Sequence, residues 1–208
     1  MILTQISDIL FPNRCEVIKM SNLYVYPIFK NGSSSIREHA KEHSCKILFN
    51  EQILKIEIID VILRDPLDRF ISGINTFVVN TKVEHTDLDT NTIKYFAENY
   101  LFLNRHYAPQ ITWLINLSRY VNKETKLRLR PMSDLTIVTE YSINPTEKNM
   151  LSLDDIARLK TNIHNTAYLN LDRLLLELIG QSLTFSEILE YIKKKDPQSF
   201  KRISHELS

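Results

Sequence analysis

Leu23-Tyr-Val-Tyr-Pro-Ile-Phe-Lys-Asn-Gly-Ser-Ser-Ser-Ile-Arg-Glu-His-Ala-Lys-Glu-His43 changes its period halfway along. The first seven residues, aromatic and β-branched, read as a short buried strand. From Ser33 to about His43 the apolar Ile36 and Ala40 fall four apart with Arg37, Glu38, Lys41 and Glu42 around them, which is a helix. Lys30-Asn-Gly-Ser-Ser-Ser35 joins the two. Strand, Gly/Ser turn and helix in succession bring unpaired backbone N–H groups and the positive end of a helix dipole to one spot, so the turn is an anion site by construction.

The unit then repeats. Ile56-Glu-Ile-Ile-Asp-Val-Ile-Leu63 is nearly continuous in apolar residues, as expected for a strand covered on both faces of a parallel sheet. Asp65 can cap a second helix that has Pro66 at N1 and Phe70, Ile74, Phe77 and Val78 as its stripe. Residues 80–92 are polar and read as a surface loop able to border a substrate cleft, with a helix near 93–100. After Pro109 an apolar-periodic stretch runs to about Val121. Lys126-Leu-Arg-Leu-Arg130 alternates like a half-exposed strand, and Leu135-Thr-Ile-Val-Thr139 reads as a third strong strand.

From Ser152 onward the sequence reads as helix. The segments are Leu153 to about His164, Leu169 to Ile179 stopped by Gly180, Phe185 to Lys195 behind the capping box Thr184-Phe-Ser-Glu187, and a last helix with Pro197 at N1. Residues 1–22 are weakly patterned. The expected fold class is therefore α/β: a mostly parallel central sheet with flanking helices, forming a single domain over 1–208. Its motif-bearing core covers about 23–140, and a helical C-terminal segment, about 150–208, packs against it.

Composition removes several function classes. In 208 residues there are three glycines, where an ordinary share of about 7% would give roughly 15. Gly32, Gly73 and Gly180 are too scattered for the G-x-G-x-x-G fingerprint or the G-x-x-x-x-G-K-[ST] loop. Cys15 and Cys45 form no C-x-x-C and read as free thiols in a reducing compartment. No window holds 18 uninterrupted apolar residues and the N-terminus lacks a signal-peptide layout, so neither a membrane nor export is expected. With 26 basic and 25 acidic residues the net charge is +1, which gives no global field for nucleic acid. Trp113 and the tyrosines show no basic-aromatic interleaving either. Any anion site is local.

Arg64-Asp-Pro-Leu-Asp-Arg-Phe-Ile-Ser72 follows the second strand, so Arg64 leaves the carboxyl edge of the sheet, where ligands of open α/β folds bind. Arg64 at the strand end and Ser72 two turns into the helix can meet one phosphate. Here the sequence resembles the sulfotransferases that use 3′-phosphoadenosine 5′-phosphosulfate (PAPS), and within them the carbohydrate type with its P-loop-like fold. Lys30-Asn-Gly-Ser-Ser-Ser35 looks like their 5′-phosphosulfate loop. Arg64 to Ser72 matches their 3′-phosphate motif R-D-P-x-x-R-x-x-S without a gap. Arg105-His-Tyr-Ala-Pro-Gln110 is similar to the R-H-W-x-P-Q stretch of that branch, with Tyr107 replacing tryptophan. The resemblance covers roughly residues 23 to 140.

The resemblance implies transfer of a sulfuryl group to a hydroxyl or amine of a small-molecule or glycan acceptor, with adenosine 3′,5′-bisphosphate (PAP) leaving. It assigns cofactor binding to Lys30, Asn31, Gly32, Ser33, Ser34, Ser35, Arg64, Arg69 and Ser72, and no metal is needed. Lys30 would neutralise the leaving phosphate. His43, 21 residues before Arg64, and His106 are the candidate bases for the acceptor proton. Arg69 either approaches the nucleotide or pairs with an acidic neighbour such as Asp65. A side chain at Gly32 is expected to cost binding more than folding. Animal enzymes of this branch are Golgi-anchored, so a cytoplasmic bacterial or viral enzyme fits this chain better.

Other readings start from the same residues. His39-Ala-Lys-Glu-His43 is H-x-x-E-H, a zinc-hydrolase signature that needs a third protein ligand. A P-loop-like kinase could use the same anion site on ATP, and a non-catalytic helical interaction protein would need neither Lys30 nor Arg64. Lys126, Arg128 and Arg130, sharing one strand face, form either a local anion site or a solvated face. Leu174, Leu175 and Leu178 read as core or as a dimer face.

Overall fold

A computed structural model of the chain describes residues 10–11, 14–81, 105–106, 108–139, 152–163 and 167–204. The loop expected at 80–92 beyond Thr81, the helix expected near 93–100, and Tyr107 lie outside the described residues. The described elements are β1 (Glu16–Met20), β2 (Leu23–Tyr26), α1 (Ser33–Glu42), β3 (Lys46–Phe49), β4 (Ile58–Leu63), α2 (Pro66–Thr81), α3 (Gln110–Ser118), β5 (Lys126–Pro131), α4 (Leu135–Val138), α5 (Leu153–Ile163), α6 (Ala167–Leu176), β6 (Ser182–Thr184), α7 (Phe185–Lys195) and α8 (Pro197–Ser204).

The strands form one sheet in the order β3-β1-β2-β4-β5-β6. Its centre, β2-β4-β5, is parallel, whereas β3-β1, β1-β2 and β5-β6 are antiparallel. The sheet is therefore mixed, and the expectation of a mostly parallel sheet is corrected. The antiparallel strands are the ones whose sequences hide them. β3 is an edge strand with three of its four residues exposed, so it carries no alternation. β1 buries both Val17 and Ile18, one toward each face, and shows no period of two. β6 sits inside the segment expected to be wholly helical.

Helices cover both faces. On one side Ile18, Met20, Val25 and Ile62 of the sheet pack with Ile36 and Ala40 of α1 and with Leu135 and Val138 of α4. On the other, Val17, Ile59, Val61, Leu127 and Leu129 pack with α3, α6 and α7 through Leu114, Leu171, Leu175 and Ile188. Leu175 and Leu178 are buried in this core and Leu174 packs at its margin, so the leucine-rich stretch is core.

The termini of the elements follow local chemistry. β2 stops at Tyr26 because Pro27 has no N–H for the ladder. Asp65 Oδ1 accepts from the N–H groups of Leu67 and Asp68 at 2.9 Å each, capping α2 as its sequence requires. Thr184 and Glu187 close a reciprocal capping box on α7.

Leu135-Thr-Ile-Val-Thr139, expected as a strand, is instead a one-turn helix following a 3₁₀ turn over Met132–Asp134. The spacing of buried groups explains it. Leu135 and Val138, three apart, face the sheet together while Ile137 between them is exposed, which a helix allows and an extended chain does not. The position outside β5 is taken by β6.

The basic stripe of β5 is also accounted for. Asp60 on β4 is fully buried, opposite Arg128, and takes Arg128 Nε at 3.0 Å and Arg130 Nε at 2.5 Å. Lys126 Nζ reaches Glu187 at 2.8 Å. These three cations are engaged by carboxylates, so the stripe is neither a vacant anion site nor merely solvated.

Candidate functional site

Because β2 and β4 are parallel neighbours, their strand-helix junctions emerge side by side at one edge of the sheet. The first junction is tightly wound. Lys30 and Gly32 both have positive φ, 69° and 79°. Gly32 occupies the N-cap position of α1, and no side chain caps that helix. The first-turn N–H groups of α1 are thus left for an outside acceptor.

The second junction closes over the first. The Arg64 guanidinium donates to the carbonyl of Lys30 at 3.1 Å. Lys30 Nζ in turn donates to Thr76 Oγ1 on α2, and Thr76 Oγ1 donates to the carbonyl of Ser72 at 3.1 Å. Lys30 and Arg64, 34 residues apart, therefore meet at one place, and Lys30 reaches α2 one turn beyond Ser72. Among the described residues no carboxylate forms an ion pair with Lys30 or Arg64. Burial lowers the pKa of Lys30, and the nearby Arg64 and Arg69 charges lower it further. Arg64 is lowered chiefly by burial, against the raising effect of Asp68 and Asp65. Clustered, partly desolvated cations of this kind are stabilised by an anion.

Arg69 and Asn31 make contacts within the chain. Arg69 is 1% exposed, and its fork donates to the carbonyls of Phe29 (3.0 Å), Ala108 and Arg105 (3.3 Å). It neither faces outward nor pairs with Asp65; it ties the segment before Lys30 to the segment before Gln110. Burial lowers its pKa to about 10, leaving it charged at neutral pH. Asn31 is buried and donates to the carbonyl of Ile62 at 2.8 Å and to Gln110 Oε1 at 2.6 Å, holding the turn against β4. Ser33 and Ser35 are buried in the first turn of α1, and Ser34 is exposed.

Gly32 also has a structural reason. A Cβ built there would lie 2.6 Å from Leu135 Cδ2 and 2.8 Å from Cδ1, in a backbone conformation that side chains rarely adopt. Leu135 is fully buried and has little room to yield.

The two candidate histidines separate. His43 is exposed and caps the C-terminal end of α1. Ten helical residues at about 1.5 Å each put it roughly 15 Å from the turn, so it is removed from Lys30 and Arg64. Its ring lies 4.2 Å from that of His39. No group of three His, Cys, Asp or Glu able to hold a metal exists among the described residues, so His39, Glu42 and His43 gain no third zinc ligand there. His106 is half-buried, with its ring centroid 5.2 Å from that of Phe29, the neighbour of Lys30. Burial lowers its pKa, and Lys30, Arg69 and Arg105 add repulsion. Both effects favour the neutral imidazole over the imidazolium.

Two further residues organise the site, and the sequence did not single them out. Gln110 is fully buried at the start of α3; its Oε1 accepts from the Arg64 N–H at 3.0 Å and its Nε2 donates to the Arg64 carbonyl at 2.9 Å. This amide clamps the backbone of Arg64. Asp172 on α6 accepts from the N–H groups of Gln110 (2.7 Å) and Ile111 (3.0 Å), capping α3 from a distant segment. Its burial raises its pKa to about 6. One signal was present: an acid at position 172 among leucines needs a buried partner. No helix among the described residues is long and apolar enough to cross a membrane. No protein-family model matches the chain, and neither a curated protein nor a solved structure matches it significantly.

Proposed function

We propose that the protein is a sulfotransferase with the P-loop-like fold, moving the sulfuryl group of PAPS to a hydroxyl of a carbohydrate acceptor and releasing PAP. One observation carries this reading. Lys30 and Arg64 stand on adjacent parallel junctions, joined by a hydrogen bond, desolvated and without a paired carboxylate among the described residues. The uncapped N-terminus of α1 and the contact of Lys30 with Thr76 on α2 support it further.

In this reading Lys30 and the first-turn N–H groups of α1 neutralise the 5′-phosphate as the bond from sulfur to its bridging oxygen breaks. Arg64 and Ser72 hold the 3′-phosphate, and Gln110 keeps Arg64 in place. His106, favoured in its neutral form, takes the acceptor's proton as the acceptor oxygen bonds to sulfur. The positive charge already surrounding His106 keeps its pKa low, so it returns the proton readily.

Thermal unfolding with and without PAP tests the reading. At 100 times its Kd a ligand contributes about 2.7 kcal/mol, which for a chain of this size raises Tm by roughly 5–10 °C. The expected result is a shift of that order in the wild type, its loss in Arg64→Ala measured against that variant's own unliganded Tm, and a smaller shift with ATP. No shift, or an equal one in Arg64→Ala, refutes the proposal, and an equal response to ATP favours a kinase.

A further inference from the structure

The side-chain amide of Gln110 is fully buried and uses its whole hydrogen-bonding capacity. Its Oε1 accepts from Asn31 Nδ2 at 2.6 Å and from the Arg64 N–H at 3.0 Å. Its Nε2 donates to the Arg64 carbonyl at 2.9 Å and to Asp172 Oδ2 at 3.4 Å. Asn31 belongs to the turn between β2 and α1, Arg64 to the junction between β4 and α2, and Asp172 to α6. One amide thus ties together three segments that lie 79, 46 and 62 residues from it in sequence. Because Asn31 follows Lys30, the placement of Lys30 relative to Arg64 is set through Gln110 as well as through their direct contact.

Asp172 holds this amide from behind. Its two oxygens accept from the backbone N–H groups of Gln110 at 2.7 Å and Ile111 at 3.0 Å, so the carboxylate orients the residue that carries the amide. A charged acceptor makes such bonds stronger than a neutral cap would. The charge is also costly. Arg69 favours it across space, yet burial prevails and raises the pKa of Asp172 to about 6, so the ionised form costs the fold stability at neutral pH, a cost that an asparagine cap avoids. Buried ionisable groups of this kind concentrate at functional sites.

We propose that Gln110 and Asp172 are positioning residues that bring Lys30 and Arg64 to bear together on one anionic ligand, so that affinity for the anion depends on α6 in the C-terminal segment. The inference rests on the sulfotransferase reading only in that Lys30 and Arg64 hold an anion. Both positioning residues are buried and act through the backbone of Arg64 and the turn at Asn31. Cutting either one leaves the two cations in the chain but frees their spacing, and a ligand that must itself order them gains less on binding. Since Asp172 acts through Gln110, its loss matters only while the Gln110 amide is present.

The test is calorimetric titration of the full chain with PAP and with inorganic pyrophosphate. Wild type, Gln110→Met, Asp172→Asn and the double variant are compared, each shown by circular dichroism to be folded at the titration temperature. Gln110→Met, of similar volume but without the amide, is expected to weaken binding of both anions about tenfold or more, Asp172→Asn about threefold or more, and the double variant no further than Gln110→Met alone. Amide NMR of the unliganded protein adds a readout that a plain cap of α3 would not move. Asp172→Asn is expected to shift the Arg64 N–H resonance, although the hydrogen bonds of Asp172 run to Gln110 and Ile111 and not to Arg64. Equal affinities in wild type and variants, additive losses, or an unmoved Arg64 resonance overturn the proposal. If Gln110→Met does not fold, the affinity and the Arg64 resonance of Asp172→Asn decide. Binding of pyrophosphate but not of PAP refutes the sulfotransferase reading while the pyrophosphate affinities still decide the proposal, and binding of neither anion overturns both.

Discussion

Replacing Gly32 with alanine tests the steric reason for a glycine at the turn between β2 and α1. Two costs act in the folded state. A φ of 79° places an L-residue in the left-handed region, at about 1–2 kcal/mol. The new Cβ also meets Leu135 Cδ2 at 2.6 Å, well inside contact distance; displacing a packed leucine typically costs about 1–3 kcal/mol. Their sum is about 2–5 kcal/mol. In a Leu135→Ala background the obstructing methyls are gone, so Gly32→Ala there should cost only the backbone share, about 1–2 kcal/mol. Urea unfolding of the wild type, both single variants and the double variant closes the cycle, with a coupling of about 1–3 kcal/mol expected. Additivity within about 0.5 kcal/mol would refute the steric part of the reasoning, and an unchanged Gly32→Ala would refute both parts.

Arg69→Lys keeps the charge but loses the planar fork that reaches the carbonyls of Phe29, Ala108 and Arg105; chemical denaturation should show a loss of about 2–4 kcal/mol, and a neutral result would mean that the fork is not required. Asp172 has a folded-state pKa raised to about 6 from 3.8. The folded protein therefore holds this proton more tightly than the unfolded chain does, and stability from this group is lost as pH rises from about 4 to 6. Relative to Asp172→Asn, the wild type should lose about 3 kcal/mol between pH 4 and 7; a pH-independent difference would show that burial of the carboxylate is not the cause.

Much of the site was legible because it is local. Lys30, Gly32 and the three serines belong to one turn, and Arg64 and Ser72 to one strand-helix junction; the spacing that orders each is fixed by strand and helix geometry. Asp65 and Thr184 announced their caps for the same reason. Gln110 lay in a quoted segment, yet its task depends on Arg64, 46 residues earlier, and on Asp172, 62 residues later. No local spacing encodes such a contact. For Arg69 the motif left open an approach to a nucleotide or a pair with Asp65, and only the packing around it shows three backbone carbonyls converging on its guanidinium. Leu135 to Thr139 misled because β-branched residues favour strands, a preference weaker than the gain from burying Leu135 and Val138 on one side of a single turn.

An unbroken apolar run, a glycine turn and a capped helix are each specified by neighbouring residues, so the parallel centre of the sheet and its two strand-helix junctions were legible from residue order. Long-range packing set the antiparallel flanks of the sheet, the separation of His106 from His43 and the burial of Arg69. The difference is one of range. Backbone preferences and caps act over one or two turns, whereas which strand lies beside which, and which buried polar groups find partners, is set by burial summed over the whole chain.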